Sequence, residues 1–147
     1  MIVMNTERIE TALAPPPVGP YPHARRVGDL LFLSGVGPRQ PGTSVIPGVS
    51  LDPSGQIMSY DIVAQTHAVM ANVKVILAAA GARWADLVDI TVYLTDMQAD
   101  FATVNALWRD YFPDPETQPC RTTVEVGALP TPIAIELKCI AYLGGRP

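Results

Sequence analysis

Apolar positions along this chain change period several times, and the changes mark out its elements. Over Asp61–Ala80, the residues Ile62, Thr66, Val69, Val73, Ile76 and Ala80 recur at three- and four-residue steps, which lines them along one face of a helix. Gly81 follows the last turn, where a glycine ends a helix well. Leu87–Leu94 alternates instead, with Val88, Ile90, Val92 and Leu94 on one side, and is predicted as a strand. Asp96 is expected to cap a second helix that runs to about Phe112, with Phe101, Val104, Trp108 and Tyr111 as its inner stripe. Two further strands are predicted at Arg121–Val126 and Ile133–Tyr142. Upstream, Leu30–Gly35 reads as a buried strand that ends at a glycine. Ala14–Pro22 is too rich in proline to be helical. Pro38–Gly55 is rich in Pro, Gly and Ser, lacks periodicity and is expected to be one long loop. The order of strands, helix, strand, helix and strands predicts an α+β sheet with both helices on one face. The other face then needs cover, which oligomerisation would supply.

Composition narrows the function. A chain of 147 residues predicts a single domain spanning 1–147, long enough to bury its own core. Hydrophobic residues make up 48% and charged residues 16%, an apolar balance that points to surface buried against other subunits. The formal charge is -4 and basic residues cluster only at Arg25-Arg26, so no basic stripe for nucleic acid is expected. No run approaches the ~18 apolar residues of a membrane span, and MIVMNTERIE does not read as a secretory signal. Cys120, Cys139, His23 and His67 make no metal-ligand spacing, so neither metal nor cofactor is expected. A reduced, cytoplasmic protein is the simplest expectation.

The candidate chemistry lies in Gln118–Tyr142, QPCRTTVEVGALPTPIAIELKCIAY. Arg121 opens an alternating strand, and Glu136 sits in the apolar strand that follows a proline-bounded turn. A buried arginine is costly without an anion, and its planar fork suits a carboxylate held by two parallel hydrogen bonds. The segment therefore suggests a site for a small carboxylic acid with a protein carboxylate near it. Glu136 shares a strand face with Lys138, so a plain surface pair is the competing reading. Arg39, His23 and Arg26 are candidate contacts for a second carboxylate, set against simple solvation. Cys120, next to Arg121, is a candidate substrate-binding residue that reads as packing rather than as a nucleophile, Cys139 reads as core and His67 as surface. No serine–histidine triad is recognisable, which argues against Ser34 as a nucleophile.

Four segments together resemble one family: GPYPHARRVGDLLFLSG (Gly19–Gly35), QTHAVMANVKVILAAAG (Gln65–Gly81), DLVDITVYLTDMQADFATVNALWRDYF (Asp86–Phe112), and PCRTTVEVGALP with IAIELKCIAY. In this order they resemble the Rid proteins, the reactive intermediate deaminases that hydrolyse enamines and imines. The resemblance implies a chorismate-mutase-like fold with a mixed sheet, and a homotrimer with ligand clefts at its subunit interfaces. It maps the substrate-carboxylate arginine onto Arg121, the late glutamate onto Glu136, and cleft residues onto Tyr21, Ser34 and Asn105. Pro22 stands where the family has a serine after the tyrosine. The family often has a cysteine just after the arginine, whereas Cys120 precedes it. The Pro38–Gly55 loop and the ending ALPTPIAIELKCIAY look most like the 2-aminomuconate deaminases of aromatic-acid breakdown. The implied partner is a small-molecule carboxylate, in a reaction that needs no metal. The alternatives are a general 2-aminoacrylate or 2-iminoacid deaminase and a non-catalytic, ligand-binding trimer.

Overall fold

The computed structural model describes residues 6–43 and 45–144. The first five residues of the N-terminal segment and residue 44 of the expected loop lie outside the described part. The elements are β1 (Thr6–Ile9), β2 (Ala24–Val27), β3 (Leu30–Leu33), β4 (Val49–Leu51), β5 (Ile57–Tyr60), α1 (Ile62–Ala79), β6 (Leu87–Leu94), α2 (Met97–Tyr111), β7 (Cys120–Glu125) and β8 (Ile135–Tyr142). One six-stranded sheet runs β1-β2-β3-β8-β6-β7. Its pairs are antiparallel except β6 with β7. Parallel neighbours need a crossover, and α2 supplies it. The fold is thus α+β with a mixed sheet and two helices, as expected.

Both helices start where the sequence places them. The Asp61 carboxylate accepts hydrogen bonds from the Val63 and Ala64 backbone N–H groups at 2.9 and 3.2 Å. Asp96 caps α2 by accepting from Ala99 N at 3.0 Å. Each cap satisfies donors that the first turn leaves open. Gly81, at φ +73°, turns the chain out of α1 in the left-handed region, where a side chain would be strained.

The sheet has a closed face and an open one. Ile135, Leu137, Cys139 and Ala141 of β8 are fully buried, while the alternating Glu136, Lys138 and Ile140 are half-buried and Tyr142 is exposed. Val69, Met70, Val73 and Leu77 of α1 bury themselves in the same core as the closed face. Each such side chain contributes roughly 1.5–3 kcal/mol. By length and composition α1 could cross a membrane, contrary to the sequence reading that no run approaches a span. Its buried stripe identifies it as a core helix.

Two expectations are corrected, and two strands are added. Val88 is not on the inner face of β6: it is 41% exposed and Leu87 is 2% exposed. The pairing with β8 shifts register between Leu87 and Asp89, and that irregularity swaps the two residues. The Pro38–Gly55 segment is not wholly loop, because it contains β4, which forms a separate two-stranded sheet with β5. The strands β1 and β2, short and charged at Arg8, Arg25 and Arg26, carried no periodic signal.

Candidate active site

Arg121 sits on β7, beside Ile90 of β6, and Ile90 lies beside the buried Cys139 of β8. The register therefore turns Arg121 to the closed face, toward α2. Its Nη2 donates to Asn105 Oδ1 at 2.9 Å. The guanidinium carbon is 5.1 Å from the Trp108 ring centroid and 5.7 Å from that of Phe101. These contacts set the plane of the fork by hydrogen bonding and by attraction to the ring faces. Burial lowers the pKa of Arg121, but a guanidinium stays protonated. The sequence places Phe101 and Trp108 only in the inner stripe of the helix, and Phe101 is instead 38% exposed while Trp108 is buried. The spacing Phe101, Asn105 and Trp108 at i, i+4 and i+7 is the signal that places them on one face with the asparagine.

A second group gathers around the end of β3, three strand positions from β7. Tyr21, His23, Ser34, Gly35 and Arg39 line one cavity with Pro15 and Ile76. Side chains staple the proline-rich loop there. Ser34 Oγ donates to Pro22 O at 2.7 Å, and Arg39 Nη2 donates to Pro16 O at 2.6 Å. His23 Nδ1 accepts from Thr11 N at 3.3 Å, so its Nε2 carries the proton and donates to Pro15 O at 2.8 Å. The Tyr21 hydroxyl accepts from Val18 N at 3.3 Å. The buried Asn72 of α1 donates to the carbonyls of Gly37 and Arg39 at 2.9 and 2.8 Å.

Glu136 does not line that cavity but adjoins it through Gly35. β3 and β8 pair at Phe32–Ile140 and meet again at Val36–Leu137. The intervening stretch is one residue longer on the β3 side, a bulge that brings Gly35 against Glu136. A Cβ on Gly35 would fall 3.0–3.2 Å from the three carboxyl atoms of Glu136. Burial raises the pKa of Glu136. No ion pair with Lys138 forms among the described residues. Lys138 Nζ donates instead to Leu33 O.

Within one chain the expected site is therefore split. Arg121 and Asn105 form one half, and Tyr21, Ser34, Arg39 and Glu136 the other. The β3 and β7 strands are three positions apart in the sheet, about 14 Å. Cys120 belongs with neither half. Strand alternation sends it to the face opposite Arg121, where it is exposed rather than packed. Neither His23 nor Arg26 is a freely solvated side chain. His23 is held as above, and the buried Arg26 donates from Nε to Gly28 O at 2.8 Å. His67 is exposed, with Nδ1 2.5 Å from the Tyr111 hydroxyl. Cys139 is core, and burial pushes its thiol up to about 12.

Fold and site together describe a small α+β protein that carries an oriented arginine on its edge strand and a desolvated glutamate on an inner one. The family described as Endoribonuclease L-PSP matches residues 11–143. A RutC family protein of Pyrococcus abyssi (strain GE5 / Orsay) is 42% identical over 139 residues, covering 95% of this chain and 98% of its own. The chloroplastic Reactive Intermediate Deaminase A of Arabidopsis thaliana is 39% identical over 140 residues, covering 95% of this chain and 67% of that protein. Among solved structures, Escherichia coli TdcF with bound serine superposes with a TM-score of 0.78 at 34% identity, covering 92% of this chain and 98% of that one. The chain belongs to this L-PSP family, that of the Rid and RutC proteins.

Proposed function

We propose that this protein hydrolyses enamine and imine carboxylic acids, releasing ammonia, in clefts between the subunits of a homotrimer. The observation that carries this reading is the setting of Arg121. It is partly buried, oriented by Asn105, Phe101 and Trp108, and in ion-pair contact with no carboxylate among the described residues. Such a cation is complete only with an anion from outside the chain. The relatives favour the same chemistry: one carries the name Reactive Intermediate Deaminase A, and TdcF binds serine, itself a carboxylate.

In this reading Arg121 of one subunit holds the substrate carboxylate and a neighbour brings Glu136, Tyr21 and Ser34. An enamine gains a proton on carbon and becomes an imine. Water adds to the imine carbon, its proton passes to nitrogen, and the adduct expels ammonia to leave a 2-oxo acid. Glu136 orients the water and carries the proton. Its desolvated carboxyl titrates closer to neutrality than an ordinary glutamate, which suits both giving and taking a proton. Tyr21 and Ser34 form the wall. Arg39 lines it and holds the proline-rich loop through Pro16. Cys120 takes no part.

Within this class we propose 2-aminomuconate as the preferred substrate, converted to 2-oxo-3-hexenedioate and ammonia. Support comes from the long segment before α1 and from the chain ending, both like those of the 2-aminomuconate deaminases. The test is ammonia release from 2-aminomuconate and from 2-aminoacrylate generated in the assay. Arg121→Ala should remove nearly all activity. Arg121→Lys should also be poor, because a point charge cannot hold both oxygens in one plane. Activity retained in both variants would place the carboxylate elsewhere. A wild-type preference for 2-aminoacrylate would make the protein a general deaminase.

A further inference from the structure

Lys138 is an ionisable group beside the proposed cleft that the deamination leaves unused. It follows Glu136 by two residues on β8, on the same open face, about 6.6 Å further along the strand. Its side chain is half-buried, and its ammonium meets the neutral carbonyl of Leu33, one residue before Ser34. Thr91 faces it across β6, and Asp89, next to Ile140, is its diagonal neighbour on that face. Among the described residues neither Asp89 nor Glu136 makes an ion pair with it. Burial holds the Lys138 ammonium below the ordinary lysine range.

A cation drawn out of water and met only by a carbonyl is under-compensated. An anion laid along β8 beyond Glu136 would complete it. Arg39 has less to gain, because its guanidinium already donates to Pro16 O and lines the cavity from the loop side. We propose that Lys138 is the contact for a second substrate carboxylate, so that the cleft selects dicarboxylic enamines, with one carboxylate on Arg121 of one subunit and the other on Lys138 of its neighbour. This rests on the interfacial cleft proposed above. It names the residue by which a diacid is told from a monoacid. The carbon to be hydrated then lies between the two cations, over Glu136.

The test uses ligands that need no turnover. Calorimetry on the wild-type oligomer compares muconate, a six-carbon diacid, with 2,4-hexadienoate, the monoacid of the same chain length. Muconate should bind more tightly, and Lys138→Met should shrink that preference roughly 10- to 100-fold. Lys138→Arg should restore part of it, which a packing role for the methylene stem would not do. The same variants are assayed for kcat/KM on 2-aminomuconate and 2-aminoacrylate, where the diacid should lose far more. An intact preference in Lys138→Met overturns the proposal, as does a preference that falls with Arg39→Ala instead. So does equal loss of both ligands with dissociation of the oligomer, which would show Lys138 pairing across the subunit interface. If muconate binding depends on Lys138 but neither enamine yields ammonia, the deaminase reading falls and the dicarboxylate site stands.

Discussion

Arg121 and Glu136 stand on opposite faces of the same sheet, with β6 between their strands. Ile90 pairs with both Arg121 and the buried Cys139, which puts the arginine on the closed face. Tyr93 pairs with Glu136, which puts the carboxylate on the open one. Two strand spacings and a change of face separate the pair. No rotamer change joins them within one chain, so a cleft that uses both must draw them from different copies.

Mixing two inactive variants tests this directly. Arg121→Ala and Glu136→Gln should each be nearly inactive alone. If the variants exchange subunits, some clefts take Arg121 from one variant and Glu136 from the other. Random assembly from equal amounts should restore about a quarter of wild-type activity, since each cleft draws each residue independently. The measurement is ammonia release after co-refolding, with light scattering to confirm the oligomer. A mixture no more active than its components would show that the two residues serve one chain.

The pH dependence follows from Glu136. Burial raises its pKa in the folded protein, so the proton is bound more tightly than in the unfolded chain. Its contribution to stability is present below the ordinary glutamate pKa of about 4.3 and is lost as pH rises through the folded value. Glu136→Gln should therefore melt higher than wild type at neutral pH, with the gap closing toward pH 4. The same replacement should lower kcat more than it raises KM, because the loss falls in the transition state. The acid limb of the wild-type profile should lie above the usual glutamate range and vanish in the variant. An unchanged kcat would remove Glu136 from the reaction.

The elements that repeat are the ones the sequence revealed. Both helices, the Asp96 cap and the strands β6, β7 and β8 follow from period and capping alone. The swap of Leu87 for Val88 was invisible because a register shift is a property of two paired strands, while alternation reads one. β4 escaped because a three-residue strand is too short to show a period. For the site, Arg121 and Glu136 were legible as residue types out of place in their strands. Their separation was not, since sheet order and face come from pairing. The Glu136–Lys138 surface pair looked natural from i, i+2 spacing, yet the bulge at Gly35 offers Lys138 the Leu33 carbonyl instead.

Gly35 should be as sensitive as the residues it touches. A methyl there would press to 3.0 Å on the Glu136 carboxyl carbon, tighter than ordinary contact. Gly35→Ala should push the carboxylate off its seat while the buried strand around it stays packed. The expected result is a fall in kcat of roughly 10-fold or more, in line with misplacement of a reacting group. The oligomer should persist. Near-normal kcat in Gly35→Ala would mean that the carboxylate has room to move without consequence, and that its position over the glycine is incidental.

Tyr60 and Asp100 tie the β4–β5 hairpin to the first turns of α2, and that tie should show in stability. The Tyr60 hydroxyl donates to Asp100 Oδ2 at 2.6 Å, and Asp100 is 4% exposed. Burial raises the pKa of Asp100, and the tyrosine bond opposes that rise by favouring the ionised form. Removing the hydroxyl leaves a buried carboxylate short of a donor, at a cost of about 1–3 kcal/mol. Tyr60→Phe keeps the ring and should lower the melting temperature most where Asp100 is ionised. In acid, where the carboxyl is protonated in both proteins, the difference should shrink. Asp100→Asn in the Tyr60→Phe background should recover part of the loss, because the uncompensated charge is gone. Denaturant melts at neutral and acid pH measure all three. A Tyr60→Phe penalty independent of pH would mean that the hydroxyl contributes through packing and neutral hydrogen bonding, and that no ionised carboxylate is held there.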